Sequence, residues 1–197
     1  EGPKPGDFGG TKDQSTDPTH AYPRLINMHE WDDKSAKWAM RDEVKHIVSA
    51  LIKDEAILNQ TMVYFKPPGG RGQAMHQDQQ YIAIDPLIGM WVALEEADET
   101  NGQMIVVPGS HDGPLCKVQH ADTAVSFTPV TAVVPVGAQS VGLDMGPGDA
   151  LFFHGKTIHG SNANTTSDRW RRSFACHYIG RNAREFEPER GTHVDHL

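Results

Sequence analysis

The chain lacks the cysteine pattern of a disulfide-stabilised or zinc-finger domain. Its two cysteines, Cys116 and Cys176, form no CxxC pair and no scaffold spacing, so we expect both thiols to be reduced. The sequence also lacks any apolar run near the roughly 18 residues that a membrane helix requires. Residues 1–20 are polar and rich in glycine and proline, unlike a secretory signal. These absences predict a cytoplasmic protein without a membrane partner.

Positive charge is scarce as well. Lysine and arginine together number 18 against 26 aspartates and glutamates, which gives a net charge of −8. Such a chain has no basic stripe with which to neutralise a phosphate backbone, so we expect no nucleic-acid partner and favour a small molecule instead. Nothing in the sequence predicts the oligomeric state.

The composition is that of one folded domain. Hydrophobic residues make up 38% and charged residues 22% of the chain, and its 197 residues fit a single core. Within the domain 1–197 we expect a loop, or the cut edge of a longer protein, at residues 1–20. A helical flank should occupy 21–60, where apolar residues recur at helical spacing. A β-sheet core should follow at 61–180 and a polar tail at 181–197.

Short β-prone runs replace the helical pattern after residue 59. Turns rich in glycine and proline separate them, and no helical pattern intervenes, which favours a mainly β fold such as a sandwich or barrel. A double-sheet jelly roll is one such fold. The predicted strands are Thr61–Phe65, Tyr81–Ile84, Gly89–Leu94, Gln103–Val107, Ala132–Val136, Leu151–Phe153 and Phe174–Ile179.

A candidate metal site begins at His76 and Asp78. Side chains two positions apart share one face of a strand, so a strand through these residues would place an imidazole and a carboxylate together. Histidine is the commonest metal ligand, and eleven are present. A third ligand could be His154 or His159. Two histidines and one carboxylate form the facial triad of iron(II) oxygenases, which leaves coordination positions open for other ligands.

Several motifs around these residues occur together in one family. The chain resembles the phytanoyl-CoA dioxygenase family of iron(II)- and 2-oxoglutarate-dependent oxygenases from residue 61 to about residue 180. The motifs that carry the resemblance are Lys66-Pro67-Pro68, His76-Gln77-Asp78, Trp91, Asn101-Gly102, Pro108-Gly109-Ser110-His111, Gly146-Pro147-Gly148-Asp149, His159-Gly160-Ser161 and Arg171.

The resemblance implies a fold and a ligand set. The fold is a double-stranded β-helix, a cupin-like jelly roll, with flanking N-terminal helices. The resemblance also implies that His76, Asp78 and His159 bind iron(II), that 2-oxoglutarate is the cosubstrate and that dioxygen is consumed. His159 is preferred to His154 because the family motif places a His-Gly-Ser sequence ahead of the arginine.

The resemblance further implies that Arg171 binds the distal carboxylate of 2-oxoglutarate, with Ser161 and Trp91 beside it. A guanidinium pairs with a carboxylate through two parallel hydrogen bonds, so the residue type suits the task. Arg169 and Arg172 are close alternatives in sequence. We prefer Arg171 because alternation on the strand gives it small neighbours, which leave room for a ligand.

Three further residues are predicted to contact the substrate: Gln73, Tyr81 and His177. The predicted reaction is hydroxylation of a small organic molecule or acyl derivative, with release of succinate and carbon dioxide. Halogenating relatives carry a small residue in place of the carboxylate, so Asp78 favours hydroxylation. One alternative is a jelly-roll module that binds a metal or ligand without turnover. Another is a zinc hydrolase with the same ligands, which would leave Arg171 and Ser161 without a role.

Overall fold

Two α-helices lie near the start of the part of the chain that the structure describes. A computed structural model describes residues 24–186, so the predicted loop at 1–20 and all but the first six residues of the predicted tail at 181–197 lie outside the described residues. The helices are α1 (Asp33–Ala39) and α2 (Asp42–Ile52). The carboxylate of Asp32 accepts a hydrogen bond of 2.8 Å from the Ser35 amide, which caps the start of α1.

Strands make up most of the remaining described chain. They are β1 (Arg24–Ile26), β2 (Ala56–Lys66), β3 (Gln73–His76), β4 (Ile84–Ala93), β5 (Met104–Val106), β6 (Val118–His120), β7 (Val130–Ala132), β8 (Val141–Leu143), β9 (Ala150–His154), β10 (His159–Ser161) and β11 (Arg171–Glu185). Short 3-10 helices at Met28–Glu30, Asp78–Gln80 and Ser110–Asp112 connect some of them.

The strands form two main antiparallel sheets. The five-stranded sheet has the order β1-β2-β11-β4-β9, and the four-stranded sheet has the order β3-β10-β5-β8. Strands β6 and β7 pair separately. The predicted mainly β jelly roll with N-terminal helices is confirmed. No helix among residues 24–186 is both long enough and apolar enough to cross a membrane.

Both faces of the five-stranded sheet are covered. On one face, Val48 of α2 packs in a buried cluster with Phe174 and Tyr178 of β11. On the other face, Trp91 of β4 packs with Met104 from the four-stranded sheet. Burial on both faces explains why these strands read as nearly continuous apolar runs in the sequence. The second face, between the two sheets, is the one that holds the candidate site.

The predicted strand at Tyr81–Ile84 is wrong. The backbone carbonyl of Asp78 accepts hydrogen bonds of 2.9 Å from the amides of both Tyr81 and Ile82, which closes a 3-10 turn. Strand β4 therefore begins only at Ile84. The predicted strand through Asp78 is also wrong, since β3 ends at His76.

Both cysteines are free, as expected of reduced thiols. Cys176 is fully buried on β11, and Cys116 is half-buried in the loop that follows the 3-10 helix at Ser110–Asp112.

Candidate metal centre and ligand cavity

Three buried ligand atoms converge between β3 and β10. His76 is the last residue of β3, and His159 is its register partner on β10. Asp78 opens the 3-10 helix that follows β3. One ligand atom from each of these residues lies within 4.8 Å of the other two, and no other such group of metal-ligating side chains is found among residues 24–186.

Both histidines direct the Nε2 atom toward the place where the three ligand atoms converge. The Nδ1 of His76 lies 2.9 Å from the carbonyl oxygen of Ala74, and the Nδ1 of His159 lies 2.9 Å from that of Thr157. A carbonyl can only accept, so each Nδ1 carries the proton and each Nε2 presents a lone pair. Hydrogen bonds of this kind fix the tautomer and orientation of metal-binding histidines.

The donor set fits a divalent metal ion in spacing as well as in chemistry. The Oδ1 atom of Asp78 lies 3.4 Å from the Nε2 atom of His76 and 3.6 Å from the Nε2 atom of His159. Ligands about 2.1 Å from a metal and at right angles to one another lie about 3 Å apart. A small inward movement of the three side chains would therefore complete the facial arrangement.

The Gln73 side chain occupies part of the space in which the metal ion would bind. Its Nε2 atom lies 3.1 Å from the Nε2 atom of His76, where it uses the lone pair that a metal ion would take. Metal binding must therefore displace the Gln73 amide.

His177 holds the other oxygen of the carboxylate. Its Nε2 atom lies 2.9 Å from the Oδ2 atom of Asp78, across 99 positions of the sequence. Because the Oδ2 atom is engaged in this way, the Oδ1 atom is the one left to face the histidines. Sequence reasoning missed this contact, since no pattern relates residues so far apart.

Electrostatics keep the carboxylate ionised. Burial alone would raise the pKa of Asp78, but its electrostatic attraction to His159 and His177, felt at the acidic pH where Asp78 titrates, and the hydrogen bond from His177 outweigh burial. The pKa of Asp78 therefore lies well below its usual value. Burial and the neighbouring His76 lower the pKa of His159 to about 4, so its imidazole is neutral near neutral pH. Both groups are thus in the protonation states that metal binding requires.

The metal-free protein should lose stability on acidification because of His159. Its pKa is about 4 in the folded state against an ordinary value of 6.5 for histidine, so the unfolded state binds more protons between these values. The free energy of unfolding should therefore fall as the pH drops through this window, by about 3 kcal/mol from this group. Urea unfolding at several pH values measures the slope. In His159→Gln the slope should be shallower, and equal slopes in variant and wild type would contradict the assignment.

A buried cation lies at the other end of the site. Arg171, at the start of β11, is only 2% exposed. One of its Nη atoms donates a 2.6 Å hydrogen bond to Ser173, and its Cζ atom lies 5.3 Å from the centre of the Trp91 ring. The two alternative arginines are engaged elsewhere: Arg169 pairs with Asp98 at 2.7 Å, and Arg172 pairs with Glu95 on the surface.

One cavity of about 520 Å³ joins the two ends. Every side chain that the sequence predicts for the site lines it, although Tyr81 does so from an exposed position. These side chains are Gln73, His76, Asp78, Tyr81, Trp91, His159, Ser161, Arg171 and His177. His154 lies elsewhere, at the end of β9, where its Nδ1 atom accepts a hydrogen bond from the Lys156 amide.

The cavity wall also includes residues that sequence reasoning did not identify. Arg24 and Gln60 contribute from the first two strands, and residues 127–130 contribute from the segment that leads into β7. These segments carry no motif in the sequence. The sequence contains no signal for them other than this lack of motifs, which is common in the variable segments around a binding site.

The comparison with known families agrees with this arrangement. The family model for phytanoyl-CoA dioxygenase (PhyH) matches residues 8–173. The chain belongs to the phytanoyl-CoA dioxygenase family. A probable phytanoyl-CoA dioxygenase of Caenorhabditis elegans is 32% identical over 136 residues, which are 64% of this chain and 43% of that protein. The peroxisomal phytanoyl-CoA dioxygenase of Bos taurus is 28% identical over 177 residues, 84% of this chain and 52% of that protein.

Solved structures show the same fold as this phytanoyl-CoA dioxygenase family member. The epimerase SnoN, in complex with Fe3+, alpha ketoglutarate and nogalamycin RO, superposes with a TM-score of 0.71 at 22% identity, over 89% of this chain and 73% of SnoN. EctD from S. alaskensis, with 2-oxoglutarate and 5-hydroxyectoine, gives 0.65 at 24% identity, over 84% of this chain and 58% of EctD. The chain spans about half the length of the curated relatives it matches.

Proposed function

We propose that this family member is an iron(II)- and 2-oxoglutarate-dependent dioxygenase that hydroxylates a small organic molecule or acyl derivative. The observation that carries the proposal is one cavity with a buried His-Asp-His group at one end and a buried arginine at the other. Family membership supports it, because the matching family model is that of phytanoyl-CoA dioxygenase. Succinate and carbon dioxide would be the co-products.

His76, Asp78 and His159 would hold the metal. The Nε2 lone pairs of the two imidazoles and the Oδ1 atom of the carboxylate supply three ligands, which leaves the remaining positions for cosubstrate and dioxygen. When bound, iron(II) and 2-oxoglutarate would supply the electrons that activate dioxygen for attack on an unactivated carbon. The protein's own part is to orient these groups and to exclude water.

The opposite end of the cavity would bind the distal carboxylate of 2-oxoglutarate. The guanidinium of Arg171 offers two parallel donors, and burial strengthens the charge pair that it would form. Ser161, on β10 of the other sheet, also lines the cavity and adds a hydroxyl group. The Trp91 ring packs against the guanidinium and fixes its plane. These contacts would determine which end of a 2-oxo acid faces the metal.

The remaining predicted residues would face the substrate. Tyr81 is 61% exposed and lies at the cavity wall close to His76, as expected of a residue at an entrance. Gln73 and His177 lie on the walls nearest the metal ligands. Asp78 favours hydroxylation over halogenation, because a carboxylate fills the position that a halide would need.

The direct test is anaerobic addition of iron(II) and 2-oxoglutarate. A visible absorption band that requires both components, and succinate release on admission of air, are the expected results. Asp78→Ala should give neither signal. A mixture that stays colourless and forms no succinate would contradict the proposal, and hydrolysis supported by zinc alone would favour a zinc hydrolase.

His177 should act on the metal through Asp78. His177→Ala removes the donor that holds the Oδ2 atom, so the carboxylate loses its orientation. We expect metal affinity to fall by about 10- to 100-fold, the usual effect of losing such a partner. Isothermal titration with iron(II) under nitrogen measures it. His154→Ala, the same substitution outside the cavity, should leave metal affinity unchanged, and an equal loss in both variants would argue against this role.

Three further predictions from the sequence are not tested by the structure or by the comparisons. A small-molecule substrate follows from the cavity, but no feature of the described residues identifies it. The cytoplasmic location predicted from the sequence is also untested, since several matched relatives are named as peroxisomal. The same holds for the division of the chain into a single domain with a loop, a helical flank, a core and a tail.

A further inference from the structure

Lys66 is a buried cation next to the candidate cosubstrate pocket. It is the last residue of β2, its side chain is fully buried, and Arg171 is its register partner on β11. The side chain does not line the cavity, whereas Arg171 and Ser161 do. Burying a lysine beside an arginine is costly unless the arrangement has a specific use.

The Lys66 ammonium is tied to the end of β10. Its Nζ atom donates a hydrogen bond of 3.0 Å to the Ser161 hydroxyl oxygen and another to the backbone carbonyl of Asn162. The backbone amide of Gln73 donates a second hydrogen bond, of 3.2 Å, to the same hydroxyl oxygen. The Ser161 oxygen therefore accepts from two protein donors at once.

These two bonds determine what Ser161 can offer to a ligand. A hydroxyl group has two acceptor lone pairs and one proton to donate. With both lone pairs engaged, only the proton remains, and no hydrogen bond from it to a protein acceptor is found among residues 24–186. Because Ser161 lines the cavity, that proton is available to a bound molecule. A group that can only donate suits a carboxylate, which can only accept.

A lysine is well suited to enforce this orientation. An ammonium group has three donors and no lone pair, so it cannot take the Ser161 proton, whereas an amide or a hydroxyl at the same place could. Burial and the charge of Arg171 lower the pKa of Lys66 well below its usual value. A carboxylate bound against Arg171 would offset that repulsion and favour the ammonium form.

The surrounding backbone is shaped around the Lys66 side chain. Gly102 has a φ of 104°, and a Cβ atom there would lie 2.8 Å from the Nζ atom and 2.7 Å from the Cδ atom of Lys66. Any other residue at Gly102 would therefore be strained and would also displace the ammonium. The Lys66-Pro67 and Asn101-Gly102 motifs, which are distant in sequence, thus meet at one structural feature.

We propose that Lys66 is a positioning residue that orients the Ser161 hydroxyl as a dedicated hydrogen-bond donor to the distal carboxylate of 2-oxoglutarate. The inference rests on the proposed function, since it assigns Lys66 a task in binding that cosubstrate. Lys66 acts through Ser161 and does not touch the ligand itself.

A double-mutant cycle on binding tests the proposal. The variants are Lys66→Met, Ser161→Ala and the double variant, each loaded anaerobically with iron(II) and titrated with 2-oxoglutarate by visible absorption. Losing a hydrogen bond to a charged group should weaken binding by roughly 10-fold or more in each single variant. The double variant should bind no more weakly than Ser161→Ala, because coupled residues are not additive. Pyruvate, which has no distal carboxylate, should bind all four proteins equally.

Three results would overturn the proposal. These are an unchanged affinity in Lys66→Met, fully additive losses in the double variant, and an equal loss of pyruvate binding. Failure of the wild-type protein to bind 2-oxoglutarate at all would instead defeat the proposed function. If Lys66→Met does not fold, a crystal structure of the wild-type complex with iron(II) and 2-oxoglutarate decides. The Ser161 oxygen should contact the distal carboxylate and keep its bonds to Lys66 and Gln73, and a direct contact of the Lys66 ammonium with the carboxylate would refute the positioning role.

Discussion

Replacing Asp78 with alanine should weaken iron(II) binding by more than about 100-fold and abolish 2-oxoglutarate-dependent succinate release. Residues that only support a metal ligand typically contribute about 10- to 100-fold to affinity, and a ligand itself should contribute more. The variant removes the oxygen that lies 3.4 Å from His76 and 3.6 Å from His159, so two imidazoles remain as ligands. Anaerobic isothermal titration with iron(II) and a succinate assay measure the two effects.

Asp112 provides the matched control for this substitution. It ends the 3-10 helix at Ser110–Asp112, and its side chain is 84% exposed. Asp112→Ala should leave iron binding and succinate release unchanged. Thermal unfolding of the metal-free Asp78→Ala protein should remain cooperative, so that lost binding reflects a lost ligand. Iron affinity equal to that of the wild type in Asp78→Ala would rule out the proposed ligand set.

Features that depend on local periodicity could be predicted from the sequence. Alternation along β11 places Arg171, Ala175 and His177 on the cavity face, as the period of two requires. Phe174 and Tyr178 accordingly face the helices. The same rule predicted that His76 and Asp78 lie together, and their ligand atoms do converge, but for a different reason.

The reason is a 3-10 turn and not a strand. Gln77 and Gln80 form a reciprocal capping box, and this local polar arrangement ends β3 before Asp78. Such a box competes with strand pairing through side-chain hydrogen bonds, which a hydrophobic pattern does not record. The Asp78 carboxylate reaches the two histidines because the 3-10 turn curls back toward them. The prediction that His76 and Asp78 lie together was therefore correct, although the strand from which it was derived is absent at Asp78.

Two contacts between distant residues could not be predicted from any local pattern. The His177–Asp78 bond spans 99 positions, and the Lys66–Ser161 bond spans 95. Both depend on which strands become neighbours, and that is decided by the register of the sheets and not by any local pattern. The motifs identified the residues whose side chains can bind a metal or a carboxylate, whereas the strand order determined which of these side chains contact one another.

Arg171→Gln should raise the dissociation constant for 2-oxoglutarate by roughly 30-fold or more. Removing one partner of a buried, hydrogen-bonded charge pair usually costs about 2–5 kcal/mol, and about 1.4 kcal/mol corresponds to a factor of ten. Arg171 is 2% exposed, so its pairing with a carboxylate would be shielded from water. Iron(II) affinity without cosubstrate should be unchanged, because the guanidinium is not a metal ligand. Visible titration of the anaerobic iron(II) protein with 2-oxoglutarate measures the effect.

The neighbouring arginine separates this effect from a general loss of charge. Arg172 lies on the opposite face of β11 in an exposed ion pair with Glu95, and such surface pairs contribute about 0–1 kcal/mol. Arg172→Gln changes the net charge by the same amount as Arg171→Gln but removes no donor from the cavity. The affinity for 2-oxoglutarate should therefore stay within about twofold of wild type in Arg172→Gln. A large loss of affinity in Arg172→Gln, with little change in Arg171→Gln, would show that Arg172 binds the carboxylate. The face of β11 that carries Arg172 would then be the one that faces the ligand.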